Sequence, residues 1–405
     1  MSQGNILIVA DYCREDFVSY FNGIKEKDKL YFIYYNYSEE ITRDIKLNYG
    51  HIRFYHAYRN AFALLKDIQP KKVLFFDIET YNQIALLAAC KENNIRSYHV
   101  EHGFRDYDMA LDTNKRNEYT RLETEGVTEK KSTSFLKKIK NRFFYLSTAN
   151  NSKYKKELVL YKNFRSTNTI FDSTAYLGKL SLFPDEFISF SPRMFDYHKR
   201  IMQLPESVKC HYTGFMNSDR YCDPRKFVQN KKIIFIDTFN HITGLWGITN
   251  ASVTSYYREI NRICVKYNFE FYVKKHPADT TKAIENSGVK IISGTEFEAN
   301  LKDFCIIAGD YSTLFLVLIG LPHTLGVSFN TFPDKSTDPL KFLHKYKVAC
   351  EINDLKDLET LLASGDKFYD NYQVLLKYKD TYVADLLFKL DGKANERFTN
   401  IIENE

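Results

Sequence analysis

Three short stretches of the chain place reactive side chains where a strand runs out. In Tyr272-Val-Lys-Lys-His-Pro277 an apolar strand ends at His276, and Pro277 is expected to open a helix, where its missing N–H costs nothing. An imidazole there can bind a phosphate and stabilise one that departs, with Lys275 beside it as a second cation. In Ile306-Ile-Ala-Gly-Asp-Tyr-Ser-Thr313 a strand runs into Gly309, and Ser312 and Thr313 open an apolar helix. Free N–H groups at a helix start, joined by two hydroxyls, suit phosphate oxygens; a plain Ser/Thr cap is the ordinary alternative. In Val100-Glu-His-Gly103 a carboxylate stands at a strand end, able to deprotonate a hydroxyl, and Gly103 lets backbone come close to a ligand. Asp77 and Glu79 form a further acidic pair at a strand end, but without a third ligand they read as structural rather than metal-binding.

The elements that must hold these residues alternate strand with helix. Strand patterns cover 5–10, 30–35, 51–55, 72–76 and 97–100, with helical stretches at 58–68 and 81–93. Near-continuous apolar strands separated by helices predict a parallel sheet covered on both faces. The alternation lapses over 105–180, which reads as a basic insertion at the sheet edge. It returns at 187–190 and 208–213, and Tyr221-Cys-Asp-Pro-Arg-Lys226 is the candidate linker. A second series follows at 232–236, 270–274, 289–292, 304–308 and 324–327, then helices near 354–363 and 369–390. The expected architecture is α/β: two Rossmann-like doubly wound domains facing a central cleft, with C-terminal helices. Residues 1–225 are expected to form the first domain, 226–345 the second and 346–405 the terminal helices. Ligands of such sheets bind beyond the carboxyl ends of the strands.

In combination, the three stretches resemble the motifs of bacterial sialyltransferases and polysialyltransferases of the GT-B fold. Those carry an acidic pair and glycine after a first-domain strand, a His-Pro pair in the second domain and a later Ser/Thr pair. The matches are Glu101-His102-Gly103, His276-Pro277 and Ser312-Thr313, in that order. The resemblance implies that Glu101 activates the acceptor hydroxyl, and that His276, Ser312 and Thr313 hold the phosphate of a CMP-activated acidic sugar (sialic acid, another nonulosonate or Kdo). The acceptor would be a glycan or glycolipid of the bacterial surface. His102 stands where that family has a second acid, so the base is Glu101 or His102. Glu296 or Glu298 corresponds to a glutamate that contacts the ribose in related enzymes. The chain is also similar to teichoic-acid glycerol- and ribitol-phosphotransferases, through Lys275-His276-Pro277 and Asp310-Tyr311-Ser312-Thr313. There a His-Gly loop, here His102-Gly103, supplies the base and the donor is a CDP-polyol. A third reading is a cytidine-nucleotide-binding protein without turnover. No metal or other cofactor is required in either catalytic case.

Composition narrows the classes. With 44% hydrophobic and 27% charged residues the 405-residue chain is globular. Neither Gly-x-Gly-x-x-Gly nor a Walker sequence occurs, which disfavours NAD enzymes and P-loop NTPases. The 7 cysteines are scattered without a Cys-x-x-Cys pair, so no zinc site or disulfide framework is indicated. The start does not read as a signal peptide, and the longest apolar run, Phe315 to Leu321, is far short of the roughly 20 residues that span a bilayer. The net charge of +6 is concentrated: residues 130–165 carry eleven Lys and Arg against one acid, Glu157. That pattern argues against a nucleic-acid binder with a broad positive face. Within it Phe135, Ile139, Phe143 and Leu146 share a helical face flanked by Lys137, Lys138, Lys140 and Arg142. Such a segment is expected to lie on an anionic membrane surface, giving a cytoplasmic protein attached to the inner face of the membrane.

Overall fold

The computed structural model describes residues 4–115, 135–222, 225–238, 248–277, 279–331 and 340–404. The chain forms two compact units, one from its first 219 residues with 393–405, the other within 220–392. The change of unit falls beside the expected linker, of which residues 223–224 lie outside the described residues.

Unit 1 is built on seven parallel strands: β1 (Ile6–Val9), β2 (Leu30–Ile33), β3 (His51–Arg53), β4 (Lys72–Phe75), β5 (Arg96–Val100), β6 (Glu186–Ser189) and β7 (Lys209–Tyr212). Their order is β3-β2-β1-β4-β5-β6-β7, so the winding reverses between β1 and β4. The helices are α1 (Ala61–Ile68), α2 (Tyr81–Glu92), α3 (Tyr107–Lys115), α4 (Phe135–Asn151), α5 (Lys155–Arg165), α6 (Ile170–Lys179) and α7 (Pro192–Met202). Asn82 to Cys90 of α2 are all buried, as a helix apolar on every side must be. What covers the outer side of α2 is the stretch expected to be an edge insertion. Phe144, Tyr145 and Ala149 of α4, with Leu158 and Tyr161 of α5, belong to the same apolar core as α2. The basic segment is therefore part of the domain's packing: its polarity is the solvent side of amphipathic helices. Phe143 and Leu146 remain exposed, at 55% and 39%, while Phe144 and Tyr145 point inward. Residues 130–134 lie outside the described residues.

Unit 2 has six parallel strands: β8 (Lys232–Ile236), β9 (Glu270–Lys274), β10 (Lys290–Ile292), β11 (Ile306–Gly309), β12 (Leu325–Phe329) and β13 (Ala349–Ile352). They are ordered β10-β9-β8-β11-β12-β13 and reverse between β8 and β11. Its helices are α8 (Asn250–Lys266), α9 (Gly294–Asn300), α10 (Thr313–Gly320), α11 (Leu355–Ala363) and α12 (Asp370–Tyr382). The last helix, α13 (Ala394–Asn404), was not foreseen, and it packs on unit 1 rather than with the terminal helices before it. Phe398 is fully buried, 5.6 Å from the Phe21 ring, and Arg397 donates to the Thr213 carbonyl at 2.7 Å. Among the described residues no helix is long and apolar enough to cross a membrane.

Candidate active site

Parallel pairing sets the residues at the carboxyl edge of unit 1. Phe75 of β4 is registered with His99 of β5, so Asp77 and Glu101, each two residues on, leave the sheet side by side. Glu101 turns inward. It is fully buried, its backbone N–H donates to the Ile188 carbonyl at 2.8 Å, and its carboxylate sits 2.6 Å from His198 Nε2 of α7. Arg105 Nε lies 3.6 Å from its other oxygen. Burial opposes the charge on Glu101, but His198 and Arg105 outweigh it and hold the carboxyl well below the usual range.

His102 turns the other way. Its ring packs edge-on to Phe17, 4.9 Å between centroids, and Nε2 faces Asp77 Oδ1 at 3.6 Å. Arg105 Nη2 approaches the same Asp77 oxygen at 3.7 Å. Nδ1 of His102 is buried without a hydrogen-bond partner among the described residues. Burial, reinforced by Arg105 and resisted by Asp77, lowers the imidazole pKa. Burial thus favours the neutral imidazole, the form whose lone pair can accept a proton. Asp77, oriented by Arg105, can hold the opposite nitrogen and stabilise the imidazolium that forms. Gly103 has a negative φ, and a Cβ there would meet nothing within 4 Å, so the space beside it is open.

In unit 2 the reversal point places two carboxyls together. Gly309 is registered with Ile236, which sets Asp310 opposite Asp237. Tyr257 Oη donates to Asp237 at 2.9 Å, and the backbone N–H of His276 donates to its second oxygen at 3.3 Å. This fixes His276 at the end of β9, where the carboxyl edge was expected to hold it. No helix follows, however: Asp279 N–H closes a turn on the His276 carbonyl at 3.0 Å, and Pro277 is exposed in that turn. Lys275 folds back into the loop, its ammonium bonded to Thr281 O at 2.6 Å and Glu285 Oε1 at 2.7 Å. The neighbouring Lys274 is the buried cation, pulled down in pKa by desolvation.

Helix α10 starts at Thr313 with Ser312 as its N-cap residue, yet the Ser312 side chain makes no capping bond. The capping bond that a serine ordinarily makes at this position is thus absent. Gly309 is required here: a Cβ would come within 2.8 Å of the Phe315 ring that packs under the turn. Glu296 is already committed, accepting from the Ser293 N–H at 2.9 Å in a capping box, and Glu298 pairs with Arg220 at 2.5 Å. Both are on α9, and neither geometry marks a ribose contact.

No protein-family model matches the chain, and a comparison with curated proteins finds no match. Solved structures do match along its full length. The wall teichoic acid polymerase TagF, as a single-residue variant, aligns with a TM-score of 0.54 at 11% identity, covering 99% of this chain and 89% of that one. A form of TagF soaked with CDPG for 15 minutes aligns at 0.53 and 11% identity, with the same coverage. The fold is GT-B. A UDP-glucose:anthocyanidin 3-O-glucosyltransferase in complex with UDP is also similar, at a TM-score of 0.49 and 8% identity over 99% of this chain and 98% of that one.

On this GT-B frame the sequence-predicted residues fall into two sets. Glu101, His102 and Gly103 stand on the carboxyl edge of unit 1. Lys275, His276, Pro277, Ser312 and Thr313 stand on that of unit 2, with Glu296 and Glu298 on α9. Asp77 was singled out with Glu79 as a structural acid and not linked to His102, although adjacent strands β4 and β5 put their end residues together. Arg105, His198 and Asp237 were missed; His198, between Met194 and Ile201 on a buried helical face, looks like a core residue.

Asp310 supplies a pH test. Burial, with Asp237 adding and a Thr238 hydrogen bond opposing, raises its pKa to about 8. The folded protein keeps this proton where the unfolded chain loses it, so unit 2 should lose stability as pH rises from about 4 to about 8. Asp310→Asn should flatten that decline and raise Tm at pH 8 by about 2–4 °C per kcal/mol recovered. Thermal melts across this range check it, and parallel wild-type and variant profiles would show that Asp310 is ionised throughout.

Proposed function

We propose that this protein is a transferase using a cytidine-nucleotide donor and a surface-glycan or surface-polymer acceptor, with His102 as the base. The supporting observation is the division of labour at the end of β5: Glu101 is sealed into its pair with His198, while His102 faces Asp77 through Nε2 and keeps a buried Nδ1 that no described residue pairs. That arrangement favours the His-Gly form of the site, and hence a CDP-polyol donor whose glycerol- or ribitol-phosphate is passed on. TagF, named as a wall teichoic acid polymerase and soaked with CDPG, is compatible with this reading through its fold.

A CMP-activated acidic sugar is the second reading, and the donor side favours it. Lys275 is tied to Thr281 and Glu285, so His276 and the start of α10 are what unit 2 offers to phosphate among the described residues assigned to that role. One phosphate is more easily neutralised by that set than two. In both readings the charge is met by N–H donors and an imidazole, without a resident metal. Attachment to an anionic membrane surface fits the exposed Phe143 and Leu146, and salt-sensitive co-sedimentation with anionic vesicles tests it.

The deciding experiment incubates the full chain with CDP-glycerol, CDP-ribitol, CMP-sialic acid and CMP-Kdo and follows CMP release and transfer to a glycan. One donor class should turn over, and His276→Ala should slow it about 10²–10³-fold, the scale of losing one preorganised stabiliser of developing charge. Tight cytidine-nucleotide binding with no turnover of any donor would leave a binding protein instead.

A further inference from the structure

Among the described residues unit 2 buries two lysines, and the fold treats them in opposite ways. Lys379 of α12 is 2% exposed, and its ammonium donates to the carbonyls of Leu321 and Thr324 at 2.5 and 2.7 Å and to Thr324 Oγ1 at 3.1 Å. Lys274, the last residue of β9, is 9% exposed and has no hydrogen bond or ion pair among the described residues. What its Nζ meets is the face of Phe297 in α9, 5.8 Å from the ring centroid, which attracts a cation without neutralising it. Glu298 and Asp237 act on Lys274 through space, but Glu298 is paired with Arg220, and Asp237 already accepts from Tyr257 and the His276 N–H. The ammonium keeps contact with solvent, unlike unpaired atoms sealed in the core such as Asp310 Oδ1. A buried charge is normally paired, because its desolvation is otherwise uncompensated. A reachable ammonium kept without a partner therefore points to an anion that arrives from outside.

Strand register puts Lys274 on the sheet face that α10 covers. Phe271 and Val273 share the apolar core with Val253 and Tyr257 of α8, so Lys274, one residue on, points to the opposite face. It is registered with Ile236 of β8, and Ile236 with Gly309 of β11. Gly309 lies under Phe315 in the first turn of α10, which fixes α10 on that same face. Only Asp310, Tyr311 and Ser312 separate Gly309 from Thr313, so α10 begins at the carboxyl edge, in the row where Lys274 ends β9 and about 10 Å from it across two strand spacings. Asp237, one residue past Ile236, turns to Tyr257 of α8 on the other face. We propose that Lys274 holds a phosphate group of the ligand of unit 2, opposite the start of α10. A lysine is a point charge on a flexible stem, suited to a tetrahedral phosphate whose other oxygens turn to a helix start; a planar carboxylate is better matched by the fork of an arginine. The donor side then has a full positive charge, so a diphosphate is no longer disfavoured there. That the phosphate belongs to a cytidine nucleotide rests on the transferase reading; the role of Lys274 does not.

Calorimetric titration of the full chain with cytidine, CMP, UMP, inorganic phosphate and free sialic acid tests it, on wild type, Lys274→Met and Lys274→Arg. Wild type should bind CMP at least about tenfold more tightly than cytidine. Lys274→Met, which keeps the length of the side chain and removes its charge, should weaken CMP about 10–100-fold, the scale of one charge-assisted hydrogen bond, and leave cytidine unchanged. Lys274→Arg should restore part of the loss. The Met variant should also melt at or above the wild-type temperature, because it removes a buried charge that has no partner. Equal CMP binding by wild type and Lys274→Met, no binding of any phosphate-bearing ligand, or a lowered Tm in Lys274→Met would overturn the proposal. Binding of free sialic acid, a carboxylate, that needs Lys274 while CMP does not would overturn it too. UMP bound as tightly as CMP, with the same dependence on Lys274, would remove the cytidine reading and keep the phosphate site; CMP preferred over UMP without that dependence would do the reverse.

Discussion

His102→Ala is expected to lower transfer about 10²–10⁴-fold, the contribution of a positioned general base, while donor affinity stays at the wild-type value. The reason is local. His102 belongs to unit 1, whereas the residues proposed for the donor phosphate, His276, Ser312 and Thr313, belong to unit 2. Asp77→Asn should give a smaller loss, because an amide can still orient the ring but no longer stabilises its charged form. The pH–rate profile provides the signature of the base. Since burial lowers the His102 pKa, the acidic limb should lie below the ordinary imidazole value near 6.5, and it should disappear in His102→Ala. Measuring kcat/KM against pH for wild type and variant decides the matter. Wild-type turnover by a folded His102→Ala protein would take His102 out of the mechanism and return the role to another group.

The same region shows what could be read from residue order and what could not. Strand periodicity located β5, β9 and β11, whose ends lead to His102, His276 and Ser312, because buried parallel strands are short apolar runs that little else imitates; helix α9, which carries Glu296 and Glu298, was not foreseen. His276 was placed correctly at a strand end. The helix expected after Pro277 did not form, because Asp279 spends its N–H on the His276 carbonyl and its carboxylate on Thr281. Local signals of helix start and tight turn share residue types, and long-range packing chooses between them. The insertion at 105–180 was misread for a different reason. Its helices bury one narrow face each, so polar residues dominate the sequence although Phe144, Tyr145 and Tyr161 complete the main core. Helix α13 left still less trace, since what anchors it is distant in the chain: Asp219 accepts from the N–H groups of Ala394 and Asn395 at 3.0 and 2.8 Å. The pairing of Glu101 with His198 is of that kind too. Only the fold brings α7 under the end of β5, and a catalytic carboxylate and a buried structural one look alike until its partner is known.

That distinction sets the second large effect. Glu101→Gln is expected to destabilise unit 1 by roughly 3–5 kcal/mol, the cost of removing one partner from a buried ion pair. Arg105 would remain under the sheet edge with its counter-charge gone, and His198 would lose its carboxylate partner. The dependence on acid follows from the direction of the shift. Because the folded-state pKa of Glu101 is depressed, its contribution is fully present above the ordinary value near 4.3 and is lost as pH falls through the folded value. Wild-type protein should therefore lose stability steeply below about pH 4, and Glu101→Gln, already without that contribution, should fall less steeply. Urea unfolding from neutral pH down to pH 3 reads both effects, and transfer assays on the fraction still folded separate stability from chemistry. If Glu101→Gln melts like wild type and yet transfers nothing, the carboxylate is the acceptor base and its pair with His198 is incidental. If it unfolds readily while the folded fraction still turns over, Glu101 is the buried support on which the His102 loop rests.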